Sequence, residues 1–285
     1  MKTITIAHSP DADDIFMYWA IKFGWVGDFH YTNAALDIQT LNDLALQNEF
    51  DATAISFALY PLIANEYALL RTAVSFGEGY GPKLIKKKDK ILKRNFKVAL
   101  SGANTTNAML FKMKYPDARI IYKNFLEIEG AVLGGEVDAG VLIHESILEF
   151  DPSLCVEAEI WDIWREFAGE ELPLPLGGMA LRRSLPLSDA IKVERDLTRA
   201  VALAHKNKRI LAPMLLERGL VRVDGAGLET YLDLYANAHS ISMSKLQFEA
   251  VDRLFKLGYD YKFYDKILKA QDYLIPSEYE EVRNS

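Results

Sequence analysis

A two-lobed α/β fold is predicted by three features of the 285-residue chain. Short apolar strands alternate with helically spaced segments, which is the rhythm of βαβ units and a largely parallel sheet. Two distant stretches repeat one pattern. The length is close to twice the ~150 residues of an average domain.

The first strand is Ile4-Thr5-Ile6-Ala7, which stops at His8-Ser9-Pro10. Ile15 to Phe23 follows with helical apolar spacing, so Asp11, Asp13 and Asp14 fall in the loop and first turn. Acidic residues there suit a helix N-terminus, where they cap free N–H groups and face the positive end of the dipole. A helix is expected from Leu41 to Asn48, then the strand Asp51-Ala52-Thr53-Ala54-Ile55-Ser56. Gly77-x-Gly79-x-Gly81-Pro82 reads as a shaped turn. Lys83 to Arg94 holds seven basic residues and one acid, read as a solvated strand and crossover face. Lys97-Val98-Ala99-Leu100 starts a new strand, followed by Ser101-Gly102-Ala103-Asn104-Thr105-Thr106 and a helix at Asn107. The prolines and glycines of Leu172 to Gly178 mark a second crossover, and from Asp189 the spacing is helical through His205, 211–218, 229–234 and 245–257. The resulting division is 1–94 with 179–285 as a larger lobe and 95–178 as a smaller one.

The repeated pattern is Glu49-Phe50-Asp51-Ala52-Thr53-Ala54-Ile55-Ser56 against Glu136-Val137-Asp138-Ala139-Gly140-Val141-Leu142-Ile143-His144. Equivalent strands would deliver Ser56 and His144 to a shared cleft, because ligands of open α/β sheets sit beyond the carboxyl ends of strands.

Several classes are excluded. With 33 Lys+Arg against 40 Asp+Glu the net charge is −7, which disfavours a nucleic-acid partner. Cys155 is the only cysteine, so no intrachain disulfide, Cys-rich zinc site or iron–sulfur cluster can form. No stretch approaches the ~20 apolar residues of a membrane span, and the start has no apolar core of signal-peptide length. A cytoplasmic protein is expected. The five histidines do not cluster at metal-ligand spacing, and Leu148 stands where the second histidine of a His-Glu-x-x-His motif would be, so no metal is expected. Gly-x-Ser-x-Gly, phosphate-loop and Gly-x-Gly-x-x-Gly motifs are missing, leaving nucleotide and nicotinamide chemistry without their apparatus.

His144 follows an apolar strand and adjoins an acid, a setting that suits a proton-accepting base and equally a capping or core histidine. His8 lies at a strand end, and His205 and His239 belong to helical surroundings. Ser101-Gly102-x-x-Thr105-Thr106 before an apolar helix is an N-cap arrangement that also suits a carboxylate or phosphate. Asp11, Asp13 and Asp14 suit helix capping or sugar hydroxyls.

Several stretches resemble the enzyme family of the futalosine pathway of menaquinone biosynthesis that makes 1,4-dihydroxy-6-naphthoate. They are Ser9-Pro10-x-x-x-Asp14-x-Phe16, Ile55-Ser56, Gly77-x-Gly79-x-Gly81-Pro82, Thr105-Thr106, Gly135 to Glu145, and Leu172 to Gly178. The first loop departs from the family's Ser-Pro-Cys-Pro-Asn-Asp-Thr-Phe, with Asp11, Ala12, Asp13 and Ile15 in place. The resemblance implies a type II periplasmic-binding-protein-like fold, with mixed, mainly parallel sheets flanked by helices and a cleft between lobes. It implies a lyase without metal or cofactor that cleaves cyclic dehypoxanthine futalosine, a small carboxylated substrate. His144 would be its base, with Ala54, Ile55, Ser56, Thr105, Thr106, Ser9 and Asp14 binding substrate. A chorismate dehydratase of the same pathway and a non-catalytic solute-binding protein are the competing readings.

Overall fold

The computed structural model describes residues 2–27, 29–169, 171–220 and 224–276. The chain runs β1 (Thr3–His8), α1 (Ala12–Lys22), β2 (His30–Ala35), α2 (Ile38–Leu46), β3 (Ala52–Ser56), α3 (Tyr60–Ile63), β4 (Tyr67–Leu69) and β5 (Ser75–Gly77). It continues with β6 (Lys83–Lys87), β7 (Lys97–Leu100), α4 (Thr106–Lys114), β8 (Arg119–Tyr122), α5 (Ile128–Leu133), β9 (Ala139–Leu142), β10 (Leu154–Glu159) and α6 (Ile160–Ala168). After β11 (Leu174–Arg182) come the helices α7 (Leu187–Lys206), α8 (Lys208–Glu217), α9 (Gly225–Tyr235) and α10 (Lys245–Asp260). Among the described residues no helix is long and apolar enough to cross a membrane.

Two sheets form. One has the order β2-β1-β3-β11-β4, with β5 also paired to β11, and the other the order β10-β6-β9-β7-β8. The same plan builds both. In each, a central strand has a parallel neighbour on one side and an antiparallel neighbour on the other: β3 lies between β1 and β11, and β9 between β7 and β6. The outer pairs continue the scheme, with β1–β2 and β7–β8 parallel and β11–β4 and β6–β10 antiparallel. The repeated sequence pattern is thus the pair of central strands β3 and β9, both buried along their whole length, as strands flanked on both faces must be.

Three expectations are corrected. The sheets are evenly mixed rather than mainly parallel, because β6 and β11, each passing from one sheet's chain region into the other sheet, enter against the direction of their neighbours. The expected strand of the basic run is only partly solvated: Leu84 and Ile85 of β6 are fully buried in the second sheet while Lys83, Lys86 and Lys87 are half-buried. The segment after Leu172 is not a break either. Leu174 to Gly178 open the nine-residue β11, which tolerates Pro175 at a register shift against β5 and uses Gly178 to admit the Phe57 ring.

Local chemistry sets the helix starts that face the space between the sheets. Thr105 caps α4, its Oγ1 accepting from Ala108 N–H (3.2 Å). Asp37 caps α2 through Gln39 and Thr40 N–H. Gln39 then accepts from Ala103 N–H (2.7 Å), tying α2 of the first sheet to the loop after β7 of the second.

Candidate active site

Between the sheets lies a cavity of about 770 Å³, part of it open to solvent. All eight site residues expected from the sequence line it: Ser9 and Asp14 from the loop after β1 and from α1, Ala54, Ile55 and Ser56 from β3, Thr105 and Thr106 at the start of α4, and His144 after β9. His8 is not among them. Its Nδ1 lies 2.7 Å from the Ser9 carbonyl oxygen and its ring packs on Tyr18, so it belongs to the core.

His144 is the focus of the polar wall. Its backbone is in the left-handed region at φ +54°, a conformation a non-glycine residue adopts at a cost and one that gathers at functional sites. Its Nδ1 is paired with the Asp11 carboxylate, while Nε2 is buried without a protein partner. The Phe125 ring meets the imidazole edge-on at 4.9 Å. Burial disfavours the imidazolium, but the Asp11 charge and hydrogen bond, backed by Glu145 and Asp14, outweigh it and hold the His144 pKa above its ordinary 6.5. Burial likewise pushes Asp11 upward, and the facing imidazolium more than reverses this, so its pKa lies below the ordinary 3.8.

The acidic first turn does not cap its own helix as expected. Asp11 occupies the N-cap of α1 but makes no side-chain capping bond, because its carboxylate turns to His144. The cap comes from across the cavity, where Glu145 Oε1 accepts from Ala12 N–H (2.9 Å). Asp14 accepts from Ser9 N–H (2.7 Å), and Asp13 from the Tyr231 hydroxyl (3.1 Å). Burial, and then the neighbouring Asp11 charge, push Asp14 up to about 8 and Asp13 well above its ordinary range. Asp14 therefore holds its proton at neutral pH.

The opposite wall offers neutral donors. Ser56 is held by buried Asn42, which donates from Nδ2 to Ser56 Oγ (3.1 Å) and accepts Ser56 N–H on Oδ1 (3.0 Å). Thr106 Oγ1 donates to the Leu176 carbonyl (3.2 Å) and accepts from Ala58 N–H (3.3 Å). Thr106 and Asn107 in the first turn of α4, where helix N–H groups lie outside the ladder, line this wall beside the buried and unpartnered Ser101 Oγ. Met17, Ile38, Ile143 and Leu176 supply apolar surface. Among the described residues lining the cavity there is no lysine or arginine, and no three His, Cys, Asp or Glu side chains are placed to hold a metal ion.

Sequence reasoning missed Ser75, Tyr231 and Tyr235, which also line the cavity. The tyrosines stand four apart on α9, a spacing that reads as an ordinary core face, and nothing local tells that this face meets α1.

Fold and site define an α/β protein with a periplasmic-binding-protein-like fold and a buried His–Asp pair in the cavity between its sheets. In fold it is similar to the alkanesulfonate-binding protein from Xanthomonas axonopodis pv. citri (TM-score 0.71, 14% identity, covering 96% of this chain and 98% of that one). A solved protein from Archaeoglobus fulgidus is nearer, with a TM-score of 0.83 at 32% identity over 92% of this chain and 98% of that one. The chain belongs to the menaquinone biosynthesis family, whose sequence profile matches residues 4–260. Two curated relatives, from Streptomyces coelicolor and Thermus thermophilus, are each 27% identical; they cover 87% and 90% of this chain, and 90% and 93% of their own lengths. Both are named 1,4-dihydroxy-6-naphthoate synthase. Like them, this protein is an enzyme.

Proposed function

We propose that the protein is a cofactor-independent carbon–carbon lyase that cleaves cyclic dehypoxanthine futalosine and releases 1,4-dihydroxy-6-naphthoate, with His144 as the base. One observation carries the reading: the cavity-lining His144 has its Nδ1 on a buried carboxylate and its Nε2 free of any protein partner. The chain-long similarity to the two naphthoate synthases supports the substrate.

In the ground state Asp11 accepts the Nδ1 hydrogen and so keeps the lone pair on Nε2. Nε2 takes the acidic proton beside a substrate carbonyl, and elimination runs downhill to an aromatic product. The imidazolium formed meets the Asp11 charge already in place, a preorganised stabilisation in a site shielded from water. A positioned base of this kind contributes ~10²–10⁴ in rate. The rest comes from holding the substrate between two lobes, one built on each sheet.

A carboxylated substrate needs an anchor, and the donors left for it are the Ser101 and Ser56 hydroxyls and the N–H groups at the start of α4, since the Thr105 and Thr106 hydroxyls already donate to the Gly102 and Leu176 carbonyls. It must also survive the acidic wall. Two unit charges 4 Å apart at an effective dielectric of ~20 repel by ~4 kcal/mol, enough to expel the ligand. The proton held by Asp14 and the upward shift of Asp13 weaken that repulsion.

The purified protein is incubated separately with cyclic dehypoxanthine futalosine and with chorismate while naphthoate absorbance is followed. Naphthoate is expected from the first alone. Dehydration of chorismate, or tight ligand binding with no turnover of either compound, contradicts the proposal.

A further inference from the structure

The mechanism above leaves one buried acid without a chemical task. Asp13 stands in the first turn of α1, is 4% exposed and lines the cavity. Its Oδ1 accepts the Tyr231 hydroxyl from α9 at 3.1 Å. The ionisable groups nearest it are all acids: Asp11 from the loop, Asp14 from its own helix and Glu145 from the segment after β9. The other titratable neighbours are Tyr18 of α1, Tyr80 after β5, and Tyr231 and Tyr235 of α9, while the nearby imidazole of His144 is engaged by Asp11. Among the described residues no lysine or arginine is paired with Asp13. An anion buried among carboxylates with no cation is unfavourable, so this carboxyl stays neutral. A neutral carboxyl has one O–H donor, and with Oδ1 accepting from Tyr231 that donor falls on Oδ2.

We infer that Asp13 is a second catalytic group, a neutral carboxylic acid that donates a hydrogen bond to the substrate carbonyl oxygen on which charge develops as His144 removes the neighbouring proton. The inference rests on His144 being the base. In the step, the C–H proton passes to His144 Nε2, the C–H electron pair forms a carbon–carbon double bond, and the carbonyl π pair moves onto oxygen. Asp13 keeps its proton throughout and shares it with that oxygen. Tyr231 is a positioning residue that fixes which carboxyl oxygen faces the ligand. Two environments thus separate two carboxylates by role: Asp11, paired with an imidazole, is ionised, and Asp13, paired with a phenol, is not.

The test compares Asp13→Asn and Asp13→Leu with the wild type by infrared difference spectroscopy and steady-state kinetics, with His144→Asn assayed alongside. At neutral pH Asp13→Asn is expected to lose a carboxylic-acid C=O band. Its amide still donates, so kcat stays within about tenfold of wild type, whereas Asp13→Leu falls by ~10²–10³ in kcat with KM little changed, the effect of deleting one oxyanion donor. The inference is overturned if no acid band is lost, if Asp13→Leu turns over like wild type, or if Asp13→Asn is as slow as Asp13→Leu. Should His144→Asn keep near-normal turnover, the base assignment falls and this inference with it. An inactive His144→Asn beside a fully active Asp13→Leu removes Asp13 alone.

Discussion

Replacing Asp11 by asparagine isolates what the carboxylate does for His144. The Asp11 side chain is 4% exposed and that of His144 16%, so solvent screens their interaction weakly. At an effective dielectric of ~20 a contact pair is worth ~4 kcal/mol, so its loss lowers the His144 pKa. Burial, already the largest influence on this imidazole and directed downward, is then unopposed by its main counterweight. The free base must be neutral to act, so wild-type kcat/KM rises with pH through a His144 pKa above 6.5. In Asp11→Asn that acid limb moves to lower pH. The rate above the limb falls, because asparagine no longer stabilises the imidazolium and can also turn its amide toward Nδ1 and stabilise the wrong tautomer. The corresponding Asp-to-Asn change in a serine-protease triad costs ~10⁴, and ~10²–10⁴ in kcat is expected here. The assay is kcat/KM against pH for both proteins, with thermal melts to establish folding. An Asp11→Asn variant with wild-type rate and an unmoved acid limb would refute the claim that Asp11 acts through His144.

Asp14, with a folded pKa of about 8 against an ordinary 3.8, binds a proton in the folded chain that the unfolded chain has released over that interval. Stability therefore falls as pH rises through the window, by up to ~1.4 kcal/mol per pH unit for one proton, and Asp14→Asn should flatten the decline of Tm between pH 5 and 8. Asn42 is fully buried and both of its amide atoms serve Ser56, so Asn42→Leu leaves two partners unpaired. A loss of ~1–3 kcal/mol in denaturant unfolding is expected, together with a raised KM, since the Ser56 hydroxyl is no longer held toward the ligand.

Much of the scaffold is legible in the chain because β3 and β9 share a plan. Asp-Ala followed by a mostly apolar run marks the central strand of each sheet, and the polar residue that ends β3, Ser56, and the one that follows β9, His144, both fall at the cavity. The strand partners are less legible. Lys83 to Lys87 and Leu174 to Gly178 carry the lysines, prolines and glycines of loops, yet burial of Leu84 and Ile85 and the antiparallel ladder of β11 on β3 override those propensities. Least legible are the polar pairings. Asp11 has every local mark of an N-cap, and only the fold reveals that its partner is His144 and that Glu145 caps α1 in its stead. Two of the four departures from the family's first loop, Asp11 and Asp13, thus meet His144 and Tyr231, contacts made across more than half the chain or nearly so.

The central claim, that His144 removes the proton that starts cleavage, is tested most directly by single-turnover reaction of His144→Asn with saturating cyclic dehypoxanthine futalosine, beside a measurement of substrate affinity. Asparagine preserves a polar side chain of similar reach but cannot accept the proton. Naphthoate formation is predicted to fall by at least ~10², toward 10⁴, while affinity stays within a few fold of wild type. Near-normal naphthoate formation by folded His144→Asn would contradict it.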